Sequence, residues 1–110
     1  MDGCVFCGII GGSIPSTAVF EDDKIIAFYD INPVSETHVL VVPKEHIQSC
    51  SQIDEANSHF VTAVFEAIPK IAKKLGVSHY RVISNCGAEA GQSVSHLHFH
   101  LISGLKYKDL

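Results

Sequence analysis

The sequence has 110 residues, of which 46% are apolar and 18% are charged, and its net charge is −4. That length predicts one domain with a single compact core. The acidic balance excludes non-specific nucleic-acid binding, which needs a basic face, but it allows one small anionic ligand. No apolar run approaches the roughly 18 residues of a membrane span, and the start does not resemble a signal peptide. We therefore expect no membrane association and a soluble, cytoplasmic protein, which the nucleus could also contain.

The first half of the chain alternates short extended segments with turns. Residues 4–10 form an apolar patch that predicts one helical turn, ended by Gly11 and Gly12. Residues rich in Asp, Asn, Ser and Pro separate the segments that follow. Enrichment in Ile, Val, Phe and Tyr predicts three strands, at residues 17–20, 25–30 and 38–42.

One long helix is predicted in the second half of the chain. It begins at Asp54, a suitable N-cap, and ends at Leu75, with Gly76 as its C-cap. Apolar side chains recur along it at i, i+3 and i+4 spacing. Pro69 lies inside this pattern and predicts a kink or a break in the helix.

Two further strands are predicted after the helix, at residues 80–84 and 94–102, with a glycine-containing loop at 85–92 between them. The five strands are joined by short turns, with one helix inserted. This arrangement predicts an α+β fold with a mostly antiparallel sheet.

Three of the seven histidines, His96, His98 and His100, lie in the predicted last strand, within a span of five residues. Alternate side chains of a strand share a face, so we expect the three imidazoles on one side of the sheet. Burying them without partners would be costly. Two kinds of chemistry fit the pattern: a metal site, because His-x-His can offer two ligands to zinc, and nucleophilic catalysis, because neutral imidazole is available near neutral pH.

The loop before these histidines favours catalysis at phosphorus. Residues 85–93 combine amide and hydroxyl donors with a glycine-containing backbone, and donors of that kind can surround phosphate oxygens. Catalysis of phosphoryl transfer consists largely of positioning and of neutralising oxygen charge.

The Cys-x-x-Cys pair formed by Cys4 and Cys7 indicates metal or redox chemistry in an intracellular protein. One pair supplies only two of the four ligands of a structural zinc site. Cys50 and Cys86 have no motif around them, which is typical of thiols without a special role.

The sequence resembles the histidine triad family, and within it the branch that hydrolyses purine nucleoside phosphoramidates. The family signature is His, apolar, His, apolar, His and two apolar residues, and residues 96–102 fit it throughout. Three other segments match the family in order, at residues 27–33, 37–46 and 90–94. The resemblance covers residue 4 to about residue 104.

The resemblance implies a single domain over residues 1–110, with a five-stranded antiparallel sheet, one long helix and one or two short ones. It also implies a homodimer in which the two sheets join. His98 would attack the α-phosphorus of a purine nucleotide, expel an amine and form a nucleotidyl-histidine, which water would then hydrolyse.

The same resemblance implies roles for other residues. His100 and Ser93 would contact the phosphate or the leaving group, and His38 would belong to the same hydrogen-bonded cluster. Asp30 would bind the ribose hydroxyls, and Asn85 would lie at the phosphate. Together with His98 and His100, the implied nucleotide-binding residues are Val5, Phe6, Ile9, Phe28, Asp30, Ile31, Asn85, Gly91, Gln92, Ser93 and Val94.

Relatives that carry the Cys pair bind zinc, and the resemblance extends that site to Cys4, Cys7, His46 and His96. The set is Cys₂His₂, a sound tetrahedral combination. The zinc would be structural and not required for catalysis. The alternative is a pair of reduced thiols without a metal.

Two other functions stay open at this point. One is hydrolysis of dinucleoside polyphosphates, although relatives with that activity usually have Gln where Ser93 stands. The other is a zinc-stabilised interaction protein with incidental catalysis and protein partners that the sequence does not identify. The chain also departs from its animal relatives: it contains no tryptophan and therefore lacks their Trp-Pro-Pro tail. Cys86 and Ser95 stand where relatives usually have an acidic or polar residue and a larger one, respectively.

Overall fold

The computed structural model describes residues 3–104, and the two ends of the predicted 1–110 domain, residues 1–2 and 105–110, lie outside the described residues. The helices are α1 (Val5–Ile10) and α2 (Ser58–Leu75), with short 3-10 turns at Cys50–Gln52 and Ala88–Ala90. The strands are β1 (Ala18–Glu21), β2 (Ile25–Tyr29), β3 (Thr37–Pro43), β4 (Arg81–Ile83) and β5 (Phe99–Ser103). They form one antiparallel sheet in the order β1-β2-β3-β5-β4, which confirms the predicted fold class.

The two faces of the sheet carry different helices because successive side chains of a strand point to opposite sides. The α2 side forms the larger core, built mainly from Val39, Val41, Leu97, Phe99, Leu101, Val64, Ile68 and Ile71. The α1 side forms a smaller core from Phe6, Ile26, Phe28, Leu40 and Val42. His38 and His100 belong to this second face, since His38 lies two residues before Leu40 on β3 and Leu40 pairs with His100 of β5. His38 and His100 therefore lie on the side of α1.

The turn between β1 and β2 lies where the sequence predicts it. The Asp22 carboxylate accepts hydrogen bonds from the backbone N–H groups of Lys24 and Ile25 at 2.8 and 2.9 Å. An aspartate side chain thus holds a turn that lacks the Asn-Gly signal typical of two-residue hairpins.

The long helix begins later than predicted. Its N-cap is Asn57, and Asp54 instead stabilises a preceding turn by accepting hydrogen bonds from the backbone N–H groups of Ala56 and Asn57. The predicted break at Pro69 does not occur, and α2 continues to Leu75. Pro69 lies on the exposed face together with Phe65, whose carbonyl loses its helical partner, so water can satisfy that group. Gly76 adopts the left-handed conformation of a C-cap, with φ of 72°, as predicted.

The last strand is shorter than predicted, because β5 starts at Phe99 and not at residue 94. His96 and His98 therefore precede the regular strand. The backbone there bonds to neighbouring loops: the Leu97 N–H donates to the Ile47 carbonyl. The alternation nevertheless continues upstream, since Leu97 and Phe99 enter the α2 core while the rings of His96 and His98 contact Phe6 of α1.

Within residues 3–104, neither helix combines the length and the apolar character that crossing a bilayer requires.

We expect Ile71→Ala to lower the free energy of unfolding by about 2–5 kcal/mol, because this fully buried side chain fills the core between α2 and the sheet. The neighbouring Lys70 is exposed, so Lys70→Ala should change the free energy of unfolding by less than about 0.5 kcal/mol. Urea denaturation of the two variants checks both values, and equal effects would contradict the packing described here.

Candidate functional site

A cavity of about 660 Å³ lies between α1 and the sheet. Its wall is largely apolar on the α1 side and polar at the segment that follows β2 and at the histidines of the last strand and the loop before it. It contains most of the predicted nucleotide-binding residues: Val5, Phe6, Ile9, Phe28, Asp30, Ile31, Ser93, Val94, His98 and His100. An apolar slot that ends in a carboxylate, a hydroxyl and two imidazoles suits a ligand with a flat apolar part and an anionic part.

The His98 ring is buried and held from two sides. Its Nδ1 lies 2.7 Å from the backbone carbonyl of His96, which can only accept, so Nδ1 carries the proton and donates. The edge of the Phe6 ring packs against it, with the ring centroids 5.0 Å apart. In a neutral imidazole the other nitrogen, Nε2, then keeps its lone pair. His98 is thereby prepared to act as a nucleophile at Nε2.

His100 has the opposite tautomer, and a backbone amide decides it. The Val34 N–H donates to Nδ1 of His38 at 3.2 Å, so the proton of a neutral His38 lies on Nε2. His38 Nε2 lies 2.8 Å from Nδ1 of His100 and donates to it. A neutral His100 must then carry its own proton on Nε2, which makes it a donor at the cavity.

Asp30 completes this chain. Its Oδ2 lies 3.4 Å from Nε2 of His38, while its Oδ1 accepts from the backbone N–H of Asn32 at 2.8 Å. Asp30, His38 and His100 bring three donor atoms within 4.8 Å, a spacing that could suggest a metal site. The Val34 amide argues against a metal at this position. It donates to Nδ1 of His38 and so keeps the proton on Nε2, the nitrogen that a metal would need.

Burial keeps His100 uncharged. Desolvation, followed by the nearby His98 and His38, lowers the pKa of His100 from 6.5 to about 4. Asp30 opposes this shift only in part. At neutral pH the ring is therefore a neutral hydrogen-bond donor, in keeping with the tautomer that His38 imposes.

The four predicted metal ligands meet beside α1. Nδ1 of His46 lies 3.1 Å from Nδ1 of His96 and 3.2 Å from Sγ of Cys7. Nδ1 of His96 lies 3.5 Å from Sγ of Cys4 and 3.6 Å from Sγ of Cys7. Zinc bonds of roughly 2.0–2.1 Å to nitrogen and about 2.3 Å to sulfur separate tetrahedral ligands by about 3.3–3.8 Å. The four separations of 3.1–3.6 Å lie close to this range, and all four donor atoms lie within 4.8 Å of one another, so they need only small shifts to hold a zinc-sized ion.

His96 is oriented for such a role by its other ring nitrogen. Nε2 donates to the carbonyl of Pro43 at 2.8 Å, which leaves the lone pair on Nδ1, the nitrogen that faces the two thiols. Burial lowers the pKa of His96, so the ring is neutral, as a metal ligand must be. Desolvation, together with the adjacent Cys4, raises the pKa of the Cys7 thiol, and a bound cation would offset that cost.

Three predicted nucleotide-binding residues are not among those that line the cavity: Asn85, Gly91 and Gln92. Gln92 instead holds the loop: its amide donates to the carbonyls of Gln48 and Val94, and its Oε1 accepts from the Gly87 N–H. Gly91 has a φ of 98°, and the Asn85 amide nitrogen lies 3.7 Å from where a Cβ would be. These residues shape the loop that carries Ser93.

Some cavity residues were not predicted from the sequence. They are Pro15, Ser16, Thr17, Tyr29, Asn32 and Leu40. For Leu40 a signal existed, because it lies two residues after His38 on the same strand and so shares its face. Residues 15–17 come from a loop, whose position no periodicity reveals.

Comparison with known proteins agrees with this geometry. A family model, the HIT domain, matches residues 11–107. An uncharacterised HIT-like protein of Methanocaldococcus jannaschii is 43% identical over 100 residues, which cover 90% of this chain and 77% of the relative. The solved structure of a histidine triad protein from Clostridium difficile is 45% identical, with a TM-score of 0.94, covering 100% of this chain and 97% of the other. A HIT family hydrolase from Clostridium thermocellum is 44% identical, with a TM-score of 0.95 and the same coverage.

The depressed pKa of His100 has a consequence for stability. Between pH 6.5 and about 4 an unfolded chain binds a proton at this position that the folded chain does not, so this stabilising contribution is full above pH 6.5 and lost as the pH falls towards 4. As the pH falls from 6.5 to about 4, we expect the free energy of unfolding to decrease less in His100→Gln than in the wild type. Urea denaturation at several pH values checks this. An NMR titration in which the His100 ring protonates near pH 6.5 would contradict it.

Proposed function

The chain belongs to the HIT domain family of histidine triad proteins, and on that premise we propose that it hydrolyses purine nucleoside 5′-phosphoramidates to a nucleoside monophosphate and an amine. The observation that carries this proposal is the pair of opposite tautomers at one cavity: an unprotonated Nε2 on His98 beside a protonated Nε2 on His100. Attack on phosphorus and donation to its oxygens or to the departing nitrogen need these two groups together.

The proposed binding mode follows the polarity of the cavity. The purine lies in the apolar part, against Phe6, Ile9 and Phe28. Asp30 accepts hydrogen bonds from the ribose hydroxyls through Oδ2, since its Oδ1 already accepts from the Asn32 N–H. The α-phosphate then lies where Ser93 and His100 can donate to its oxygens.

In the first step, His98 Nε2 attacks the α-phosphorus and the bond from phosphorus to the amine nitrogen breaks. The His98 ring becomes positively charged, and the His96 carbonyl, which accepts from Nδ1–H, stabilises that charge. The departing nitrogen takes a proton from solvent and leaves as a neutral amine, while Ser93 and Nε2 of the neutral His100 keep their protons and donate hydrogen bonds to the phosphate oxygens. In the second step, water attacks the phosphorus, the bond to His98 breaks and the nucleoside monophosphate is released, while the proton lost by the water returns to solvent.

We further propose that Cys4, Cys7, His46 and His96 hold a structural zinc ion. Donor separations of 3.1–3.6 Å and the bond from His96 to Pro43 support it. Zinc supplies no step of the reaction. It would tie α1 to the loop before β5, and α1 also carries the apolar residues of the cavity.

We also propose that the chain forms a homodimer through its sheet edge. Strand β4 lies at the edge of the sheet, and an edge offers unpaired backbone groups to a second copy. Phe65 of α2 and Tyr80 beside β4 are exposed aromatic side chains. Sedimentation at several protein concentrations tests the association.

For the proposed reaction we expect His98→Ala to lower kcat/KM for adenosine 5′-phosphoramidate at least about 1,000-fold, because the nucleophile is lost. His79→Ala removes an exposed histidine that does not line the cavity and should leave kcat/KM within about two-fold. Acid quenching of the wild type during turnover should trap an adenylylated protein, detected by mass spectrometry. Full activity of His98→Ala would contradict the mechanism. Faster hydrolysis of a dinucleoside polyphosphate would favour the other enzymatic function.

Protein purified without a histidine tag should contain close to one zinc per chain. Cys7→Ser should lose it, lower the melting temperature and weaken binding of AMP by calorimetry, because α1 then loses an anchor. The matched control is Cys86→Ser, since Cys86 is exposed and its thiol donates to the Ser49 hydroxyl and not to the cysteine and histidine cluster. Less than about a tenth of an equivalent of metal in the wild type would rule out a constitutive site.

A further inference from the structure

A serine hydroxyl holds the backbone of the proposed nucleophile. Strand β5 begins at Phe99, and its pairing with β4 ends at Ile83 and His100, so His98 lies just beyond the regular sheet. The His98 carbonyl accepts a hydrogen bond of 2.8 Å from Oγ of Ser84, the residue that follows β4. A side chain thus continues the connection between the two strands where their backbone pairing stops.

The Ser84 hydroxyl is engaged on two sides. A carbonyl oxygen can only accept, so the hydroxyl proton points to His98. The hydroxyl oxygen accepts in turn from the Cys50 thiol, with Sγ 3.4 Å from Oγ. Cys50 is half-buried and packs against the α2 core. These two bonds restrict the rotation of the hydroxyl and anchor it to the body of the protein.

This support reaches His98 from the side of the sheet that faces α2. Cys50 packs there together with Val82, which lies two residues before Ser84, and none of the three lines the nucleotide cavity. The His98 ring, in contrast, lines the cavity and contacts Phe6 of α1. A change at Ser84 therefore reaches the reacting nitrogen through the backbone of His98 and not through a contact with the ligand.

We propose that Ser84 is a positioning residue for the nucleophile. This inference rests on the proposed function, because it gives Ser84 a part in the attack by His98 Nε2. His98 is held at two points, at its ring by the His96 carbonyl and at its own carbonyl by Ser84. The first bond fixes the tautomer, and the second fixes the peptide group beside the Cα from which the ring projects. Because attack requires an aligned lone pair, a small displacement of the ring lowers the rate without weakening the binding of nucleotide.

Ser84→Thr and Ser84→Val form a matched pair, since the two side chains have the same branched shape and only threonine keeps the hydroxyl. With adenosine 5′-phosphoramidate, we expect Ser84→Thr to be adenylylated at His98 within about two-fold of the wild-type rate. The rate should be about three- to ten-fold lower in Ser84→Val, a range set by the loss of one ordinary hydrogen bond. Rapid quenching followed by mass spectrometry measures this rate. Calorimetry should give the same affinity for AMP in both variants.

A second serine supplies the control. Ser103 lies at the other end of β5, where its Oγ donates to the His79 carbonyl at 2.7 Å, and it does not line the cavity. Ser103→Val removes a bond of the same kind and should leave the rate of adenylylation within about two-fold. Melting temperatures of all variants separate a loss of stability from a loss of rate. If Ser84→Val does not fold, Ser84→Ala takes its place in the comparison with Ser84→Thr.

Equal rates of adenylylation in Ser84→Thr and Ser84→Val, with adenylylation lost in His98→Ala, would overturn the role of Ser84 and leave the proposed function standing. A weaker affinity for AMP in Ser84→Val at an unchanged rate would also overturn it, because Ser84 would then support binding and not the attack. If the wild type forms no adenylylated protein, the proposed mechanism fails, and this inference fails with it.

Discussion

The contact on which the rest of the site depends is the bond from His98 Nδ1 to the backbone carbonyl of His96, at 2.7 Å. It fixes the tautomer of the proposed nucleophile and points its free nitrogen at the cavity. The carbonyl is itself fixed, because the His96 ring is held at both nitrogens, by the Pro43 carbonyl on one side and by the cysteine and histidine cluster on the other. The same peptide group is also held at its N–H, because the Leu97 N–H donates to the Ile47 carbonyl. The position of the His98 lone pair therefore depends on a residue whose side chain never enters the nucleotide cavity.

Helix α1 connects the same cluster to the cavity. Six residues are too few for a helix to be stable alone, so its position comes from tertiary contacts. Cys4 accepts from the Cys7 N–H at its first turn, and both thiols face the two histidines. Phe6, which lies between Cys4 and Cys7 in sequence, is buried and contacts the rings of both His96 and His98. A change at the cysteine and histidine cluster therefore reaches the apolar wall of the cavity through Phe6. Under the proposed function, a zinc ion at this cluster and the affinity for nucleotide are linked through one turn of helix and one phenylalanine.

Periodicity and motif spacing predicted much of this arrangement. The alternation at residues 96–101 predicted which rings face the site and which side chains enter the core, and that holds although the regular strand begins only at Phe99. The Cys-x-x-Cys pair predicted two ligands, but finding His46 as a third took the family resemblance, because it is distant in sequence. The N-terminus of α2 was misplaced because Asp54 can cap a helix or a turn equally well by sequence, and only the surrounding fold decides between them. The loop residues 15–17 could not be predicted, since nothing local fixes a loop against a distant sheet.

The Val34 amide explains why two neighbouring histidine clusters have different chemistry. Both bring nitrogen atoms within reach of a further ligand, and both lie on the α1 side of the sheet. At His96 the Nε2 atom donates to the Pro43 carbonyl, so the lone pair lies on Nδ1, which faces the cysteines, and a cation is favoured there. At His38 the Nδ1 atom accepts from the Val34 N–H, so the proton lies on Nε2, which donates a hydrogen bond to His100. One backbone group of opposite polarity thus separates a site fit for a metal from a chain of hydrogen bonds that sets the tautomer of His100. Histidine content alone could not have distinguished the two.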